Sequence, residues 1–551
     1  MNSDKPDAGL QSLDHYKVRL PKWRYGLRQK LIPLVRMETP YLAWVQERVR
    51  SPALDSYFAV TANLGTHTFF MVMLPVLFWC GLPDLGRTLV RLLASGVFFS
   101  GFLKDMFCLP RPLSPPLQRI TMSGSTALEY GFPSTHSTNA VSVAVYTLYR
   151  LRSSDSTVDS STQLILEIIS YGYAASIVFG RLYCGMHGFF DVIIGSLIGV
   201  LIAIVECVYG LFLNEVIDNS SYRGILLIAV TVLILVRIHP EPADDCPCFD
   251  DSVAFAGVFI GCELASWHYS GYLTSPGKVD TAIPFSVETL GWPTVVARII
   301  FGVATIFAWR GIMKPTLLRT LPPLYRFIEK HGMNLPRKYF MQASEYKRVP
   351  SNVQVDSILP NVSDIPKFIN SVRTGRGRAV SIGPQSAADA YETLAYREKR
   401  RRESITSAPL SPKANGEIQG TRGDGYFSMP ASNKVETEAL EDSSVPAASI
   451  RSSGRKKSNS LSQYEQMMGS GTVLFSPDAV GAKPVYRKYE NRREEEKEDL
   501  EMFSNVQKPR VRYDVEVVTK LVVYAGIAIL AVEGNPLLFD AIGLGMSKRA
   551  S

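Results

Sequence analysis

Three short stretches of this chain carry residues whose types and spacing fit phosphoryl transfer. Lys104 and Arg111 lie in KDMFCLPRP (104–112), Ser134 and His136 in FPSTH (132–136), and Arg181, His187 and Asp191 in GRLYCGMHGFFD (180–191). Cleaving a phosphate monoester needs cations around the phosphoryl oxygens, an in-line nucleophile, and a proton for the departing alkoxide. A guanidinium grips phosphate bidentately and a lysine adds a compact charge, which fits Arg111, Arg181 and Lys104 to binding. Ser134 precedes an apolar stretch and can cap its helix, leaving amide donors for an anion. His136 would sit in the first turn, where an imidazole titrating near neutrality suits a general acid. His187 and Asp191 are four apart at a helix start, so both can share one face. The carboxylate would hold one imidazole nitrogen protonated and leave the other as an oriented nucleophile. Taken singly, each motif also reads as interfacial basic residues, a polar cap, or an incidental His–Asp pair. All three in order on one chain favour the catalytic reading.

The elements that must position these residues are membrane helices. A crossing needs about 20 mainly apolar residues. The pattern predicts spans near 63–82, 88–106, 137–151, 163–180, 189–213, 223–238, 253–269 and 294–312, with a ninth at 515–533. Each motif then falls at or near a span end. The 137–151 segment is rich in Ser and Thr, which fits a helix buried among others better than one facing lipid. Arg91, Glu167, Glu206, Glu263 and Arg298 fall within spans, where charge usually faces the bundle interior. Structural pairing accounts for these five as well as catalysis does, and no role is assigned to them.

The 551 residues carry a net charge of +8, and their composition is divided. A mean hydropathy of +0.05 averages an apolar region with a polar one. The expected organisation is a basic N-terminal segment (1–57), a multi-span domain (58–320), a juxtamembrane segment (321–345), a disordered polar region (346–512), and a C-terminal span with its tail (513–551). The polar region is too poor in apolar residues to offset its ordering entropy. Ser404, Ser458 and Ser460 follow basic clusters and resemble kinase targets. No stripe of interleaved Arg and aromatics suggests a nucleic-acid partner. The seven cysteines do not read as a disulfide framework. Cys246 and Cys248 sit among aspartates, but a lone CxC is a weak metal signal, so neither a metal nor a cofactor is expected. The first 30 residues lack an apolar core, so no cleavable signal peptide is expected.

The motifs resemble the PAP2-type phosphatases, whose pattern is K-x6-RP, then PSGH, then SR-x5-H-x3-D. Lys104 to Pro112 matches fully; Thr135 replaces Gly, and Gly180 replaces the Ser before Arg181. These departures, with YGFPSTHSTNA and HPEPADDCPCFDDSVAF (239–255), look like the sphingoid long-chain-base-1-phosphate phosphatases. The resemblance covers roughly 60–320, and the polar tail with its lone last span looks more like the fungal members. It implies a PAP2-like all-α bundle at the endoplasmic reticulum that dephosphorylates sphingosine, dihydrosphingosine or phytosphingosine 1-phosphate without a metal. In it His187 would be the nucleophile, Asp191 its orienter and His136 the acid, then the base. Lys104, Arg111, Ser134 and Arg181 would bind phosphate. Two alternatives stand beside this: the same chemistry on phosphatidate, lysophosphatidate or a polyprenyl diphosphate, and a transporter or sensor that binds lipid phosphate without cleaving it. Span counting puts all three motifs on the side of the basic N-terminus, the cytosolic side by the positive-inside rule, whereas the resemblance implies a lumenal site. Oligomeric state is left open.

Overall fold

A computed structural model describes residues 13–545 apart from 66, 114–116, 118, 121–128, 154–157, 245, 274–284, 333–339 and 350–511. The described chain is helical, and its one β-bridge joins Met341 to Tyr513. The expectations of a disordered region and of kinase sites at Ser404, Ser458 and Ser460 concern residues that lie, but for a few at the edges, outside those described.

Before the bundle come α1 (Leu13–Arg19), α2 (Lys22–Val49) and α3 (Pro52–Thr61). The bundle contains α4 (His67–Trp79), α5 (Pro83–Phe107), α6 (Thr135–Arg152), α7 (Ser160–Tyr183), α8 (Phe189–Asp218), α9 (Tyr222–Ile238) and α10 (Cys248–Leu273). After the short α11 (Val287–Leu290) come α12 (Trp292–Lys330) and, beyond the polar region, α13 (Val515–Ile529). A π-helical turn (Leu530–Gly534) joins α13 to α14 (Asn535–Ala541). Every expected span therefore coincides with a helix. Among the described residues, Ser160–Tyr183, Phe189–Asp218, Trp292–Lys330 and Val515–Ala541 are long and apolar enough to cross a membrane on their own. The others are shorter or carry polar and charged side chains that neighbouring helices satisfy. The protein is an all-α multi-pass membrane protein.

The pattern on α8 shows how lipid changes the usual rule. Its large aliphatic residues Ile193, Leu197, Leu201, Ile204 and Val208 are exposed, while Gly195, Gly199 and Ala203 face inward. Lipid tails are as apolar as leucine, so bundle contacts favour small residues that let backbones approach. A Cβ at Gly195 would lie 2.6 Å from the Ser134 carbonyl oxygen, and one at Gly199 would lie 2.4 Å from that of Thr138. The two glycines thus let α8 lie directly on the start of α6.

Most of the charges noted within the helices are paired. Arg87 binds Glu263 at 2.7 Å and Asp218 at 2.9 Å, and Arg91 binds Glu206 at 2.8 Å and Glu263 at 3.4 Å. Glu167 pairs with Arg152, and Arg298 lies 5.1 Å from the ring of Phe539. Structural pairing is thus the observed state of Arg91, Glu167, Glu206 and Glu263, whereas Arg298 lies against an aromatic ring with its Nε and Nη1 lacking a hydrogen-bond partner among the described residues. The last span, far along the chain, is integral to the bundle. It packs against α10 and α12, the Trp309 indole donates to the Val523 carbonyl, and Lys520 and Arg512 pair with Asp250.

Candidate functional site

All seven motif residues lie at or beside the end of α5, the start of α6, the end of α7 or the start of α8. Lys104 occupies the last turn of α5. Cys108 ends that helix in the left-handed conformation, φ 51°, which glycine usually fills, and its amide closes onto the Lys104 carbonyl. That turn sends Leu109–Pro112 back across the helix end. Gly131 donates to the Leu109 carbonyl at 3.0 Å, which brings FPSTH alongside Arg111. Ser134 caps α6, accepting from the Ser137 amide, while its own amide donates to the Asp191 carbonyl at 3.0 Å. Motifs two and three are therefore tied through backbone. His136 follows in the first turn, half-buried, with its charge felt at His187.

His187 is buried between α7 and α8. Its Nδ1 lies 2.8 Å from the Gly131 carbonyl, which can only accept, so Nδ1 carries the proton. Nε2 is then the lone-pair nitrogen, and it faces Arg111, whose Nη1 is 3.4 Å away. Burial first, then the charges of Arg111, Lys104 and Arg181, hold the imidazole well below its ordinary pKa and keep it neutral. The expected Asp191 contact is looser than the four-residue spacing suggested. Asp191 Oδ2 lies 3.7 Å from Nδ1 and accepts instead from the Gly188 amide at 2.8 Å. A carboxylate in the first turn of a helix reaches the orphan amide of its own cap, and that donor takes priority here.

The cations are buried around Nε2. Arg111 donates to the Met186 carbonyl at 2.7 Å and to the Glu129 carbonyl at 3.1 Å. Burial lowers its pKa to about 10, which leaves it cationic at neutral pH. Arg181 is 5% exposed, and its Nε has no hydrogen-bond partner among the described residues. A buried guanidinium N–H without an acceptor is costly, and an anion bound among these cations would supply one.

Sequence reasoning did not identify Glu129. Its Oε2 lies 3.1 Å from Lys104 Nζ and 3.4 Å from Arg111 Nη2. Its one signal was an acidic residue directly before YGFPSTH. The buttress provided by α2 was equally hidden: Arg24 donates to the Met106 carbonyl, Arg28 to that of Cys108, Gln46 to that of Tyr183, and Glu38 accepts from the Phe190 amide. This N-terminal helix thus braces the motif-bearing ends of α5, α7 and α8. A neighbouring brace explains one departure from the family pattern. A Cβ at Gly180 would lie 2.9 Å from the Phe58 ring of α3, so a serine there would need that ring to move.

One group of potential metal ligands gathers among the described residues, Asp105 with Cys246 and Cys248. The two cysteines, in a chain whose cysteines do not read as a disulfide framework, are joined as a disulfide with Cα atoms 5.5 Å apart, and disulfide sulfurs are not thiolate ligands. We assign no metal to this group.

The profile of the PAP2 superfamily matches residues 85–214, a range that includes every motif residue. A dihydrosphingosine 1-phosphate phosphatase of Schizosaccharomyces pombe is 40% identical over 331 residues, which cover 59% of this chain and 79% of the relative. The chain belongs to the PAP2 superfamily. A dihydrosphingosine 1-phosphate phosphatase of Saccharomyces cerevisiae is 34% identical over 346 residues, 61% of this chain and 80% of its own. Sphingosine-1-phosphate phosphatase 1 of Mus musculus is 28% identical over 277 residues, 48% of this chain and 61% of its own. No solved structure matches.

Proposed function

We propose that this PAP2-superfamily protein hydrolyses sphingoid long-chain-base 1-phosphates to the free base and inorganic phosphate. The observation that carries the chemistry is the His187 ring. Its Nδ1 is committed to Gly131, and its Nε2 lone pair faces buried cations that include an Arg181 N–H with no acceptor among the described residues. In this reading Lys104, Arg111 and Arg181 hold the equatorial phosphoryl oxygens at the Ser134-capped end of α6. Nε2 attacks phosphorus as the bond to the sphingoid C1 oxygen breaks, and His136 gives that oxygen its proton. Water, deprotonated by His136, then attacks the phosphohistidine; phosphate leaves and Nε2 recovers its lone pair. The Gly131 carbonyl orients the imidazole directly, and Asp191 stabilises the cationic phospho-imidazole at longer range.

The sphingoid class is supported by the two fungal relatives, both named for dihydrosphingosine 1-phosphate. Residence in the endoplasmic reticulum membrane belongs to the same reading, and a fluorescently tagged full-length protein on another membrane would refute it. The chemistry is tested on purified protein with a panel of dihydrosphingosine 1-phosphate, phosphatidate, lysophosphatidate and a polyprenyl diphosphate. Wild type should prefer the sphingoid ester, His187→Ala should release no phosphate, and His136→Ala should lose about 10²–10⁴-fold. Acid-labile phosphate should be trapped on wild type and absent from His187→Ala. Preference for a glycerophosphate would overturn the substrate, and turnover by His187→Ala would overturn the mechanism.

A further inference from the structure

The function proposed above explains the cations but not the carboxylate among them. Glu129 makes contact with both Lys104 and Arg111 through one oxygen, Oε2. For a simple phosphate monoester this is a poor arrangement. A carboxylate beside two phosphate-binding cations weakens their field and repels the incoming dianion. It becomes favourable when the substrate brings a cation of its own. A sphingoid base 1-phosphate does so, because its ammonium is on the carbon next to the one bearing the phosphate ester. The depth order fits such a zwitterion. The side chains of Lys104 and Arg111 are each 4% exposed, whereas that of Glu129 is 21% exposed, so the cations are deep and the carboxylate is outermost. A headgroup entering phosphate first would bring its ammonium to rest at the level of Glu129, with the alkyl chain trailing outward.

Resting on the function proposed above, we propose that Glu129 determines specificity by receiving the substrate ammonium while Lys104, Arg111 and Arg181 receive the phosphate. When phosphate arrives, Oε2 exchanges its contacts with the two cations for the ammonium, so no net charge is left uncompensated. Amine-free phosphate esters cannot make that exchange and leave Glu129 opposing their own phosphate.

The test uses purified full-length protein in detergent–lipid micelles with two esters of matched chain length: dihydrosphingosine 1-phosphate and an alkyl phosphate without the amine. Glu129→Gln keeps shape and removes charge. It should lower kcat/KM for the sphingoid ester by roughly 10- to 100-fold, the worth of a hydrogen bond to a charged group. On the alkyl phosphate it should raise kcat/KM, because the opposing carboxylate is gone. Glu129→Asp should keep the wild-type direction of preference. An equal fall on both esters would assign Glu129 a structural role in neutralising the empty site and overturn the proposal. A preference ratio untouched by Glu129→Gln, in a wild type that does discriminate, would overturn it as well. Wild type that cleaves the alkyl ester as fast as the sphingoid one would overturn the function assigned above and this proposal together.

Discussion

Gly195 gives the sharpest mechanical test, because it sets how closely the helix that follows His187, the proposed nucleophile, lies against the start of α6, which carries His136, the proposed general acid. A Cβ added there lies 2.6 Å from the Ser134 carbonyl oxygen, a backbone atom that no rotamer change can move aside. To pass the 3.0 Å below which real Cβ contacts essentially never occur, and to reach the 3.4 Å where ordinary contact begins, the starts of α6 and α8 must part by about 0.4–0.8 Å. That motion pulls on the Ser134 amide bond to the Asp191 carbonyl and carries His136 away from His187. Misplacement by 1 Å costs about 10²-fold, so Gly195→Ala should lower kcat by roughly 6- to 40-fold. Overpacking costs about 1–3 kcal/mol, and removing a helical glycine returns about 1 kcal/mol. The variant should therefore be folded and at most moderately less stable. Gly172→Ala on α7 is the control, since nothing lies within 4 Å of its added Cβ. Its kcat should match wild type, with equal or slightly greater stability. Steady-state kinetics on a sphingoid ester and thermal unfolding in the same detergent provide both readouts. Wild-type kcat in a folded Gly195→Ala protein would show that close packing of these two helix starts does not position the reacting groups.

Two further outcomes follow from the site and the bundle. Because burial and three cations hold the His187 pKa well below 6.5, histidine-labelled protein observed by NMR should keep its His187 signal in the neutral form through pH 6.5, where exposed imidazoles titrate. A His187 midpoint at or above 6.5 would contradict the electrostatic picture. The sign for stability is the same: unfolded His187 binds a proton that the fold rejects, so stability falls as pH drops below about 6.5. Met341 donates to the Arg512 carbonyl at 2.8 Å and accepts from the Asp514 amide at 3.1 Å, so residues 341 and 514 are adjacent across the long polar region. Replacing 355–505 by a short flexible linker should retain phosphatase activity, whereas truncation before Arg512 should abolish it by baring α10 and removing the Arg512 and Lys520 cations from Asp250. Activity in the truncated chain would show that α13 is dispensable to the bundle.

What the sequence revealed, and what it hid, divides along physical lines. The helices were legible because lipid requires long apolar runs, and each of those runs is a helix in the structure. The candidate site residues were legible as one group because the proposed phosphoryl transfer requires particular side chains, and those at 104–111, 134–136 and 181–191 sit at helix ends where punctuation is visible. Contacts made through space were hidden. Glu129 meets Lys104 across 25 residues and Glu38 meets the Phe190 amide across 152, and no periodicity encodes either pairing. The packing of α13 on α10 crosses the whole polar region in the same way. Most instructive is His187 with Asp191. Spacing correctly placed both on one face, but spacing cannot weigh two donors competing for one carboxylate. The Gly188 amide, an orphan of the helix start, takes Asp191 Oδ2, and the ring proton turns to the Gly131 carbonyl from the neighbouring motif. The FPSTH segment therefore contributes twice to the proposed chemistry, with a side chain on His136 and with the backbone just before it. Asp191→Asn should accordingly spare the His187 tautomer, because the Gly131 carbonyl still demands a proton on Nδ1. The loss that follows should fall on stabilising the phospho-imidazole rather than on forming the nucleophile. A variant whose His187 ring changes tautomer, read from its ring nitrogen shifts, would return the orienting role to the carboxylate.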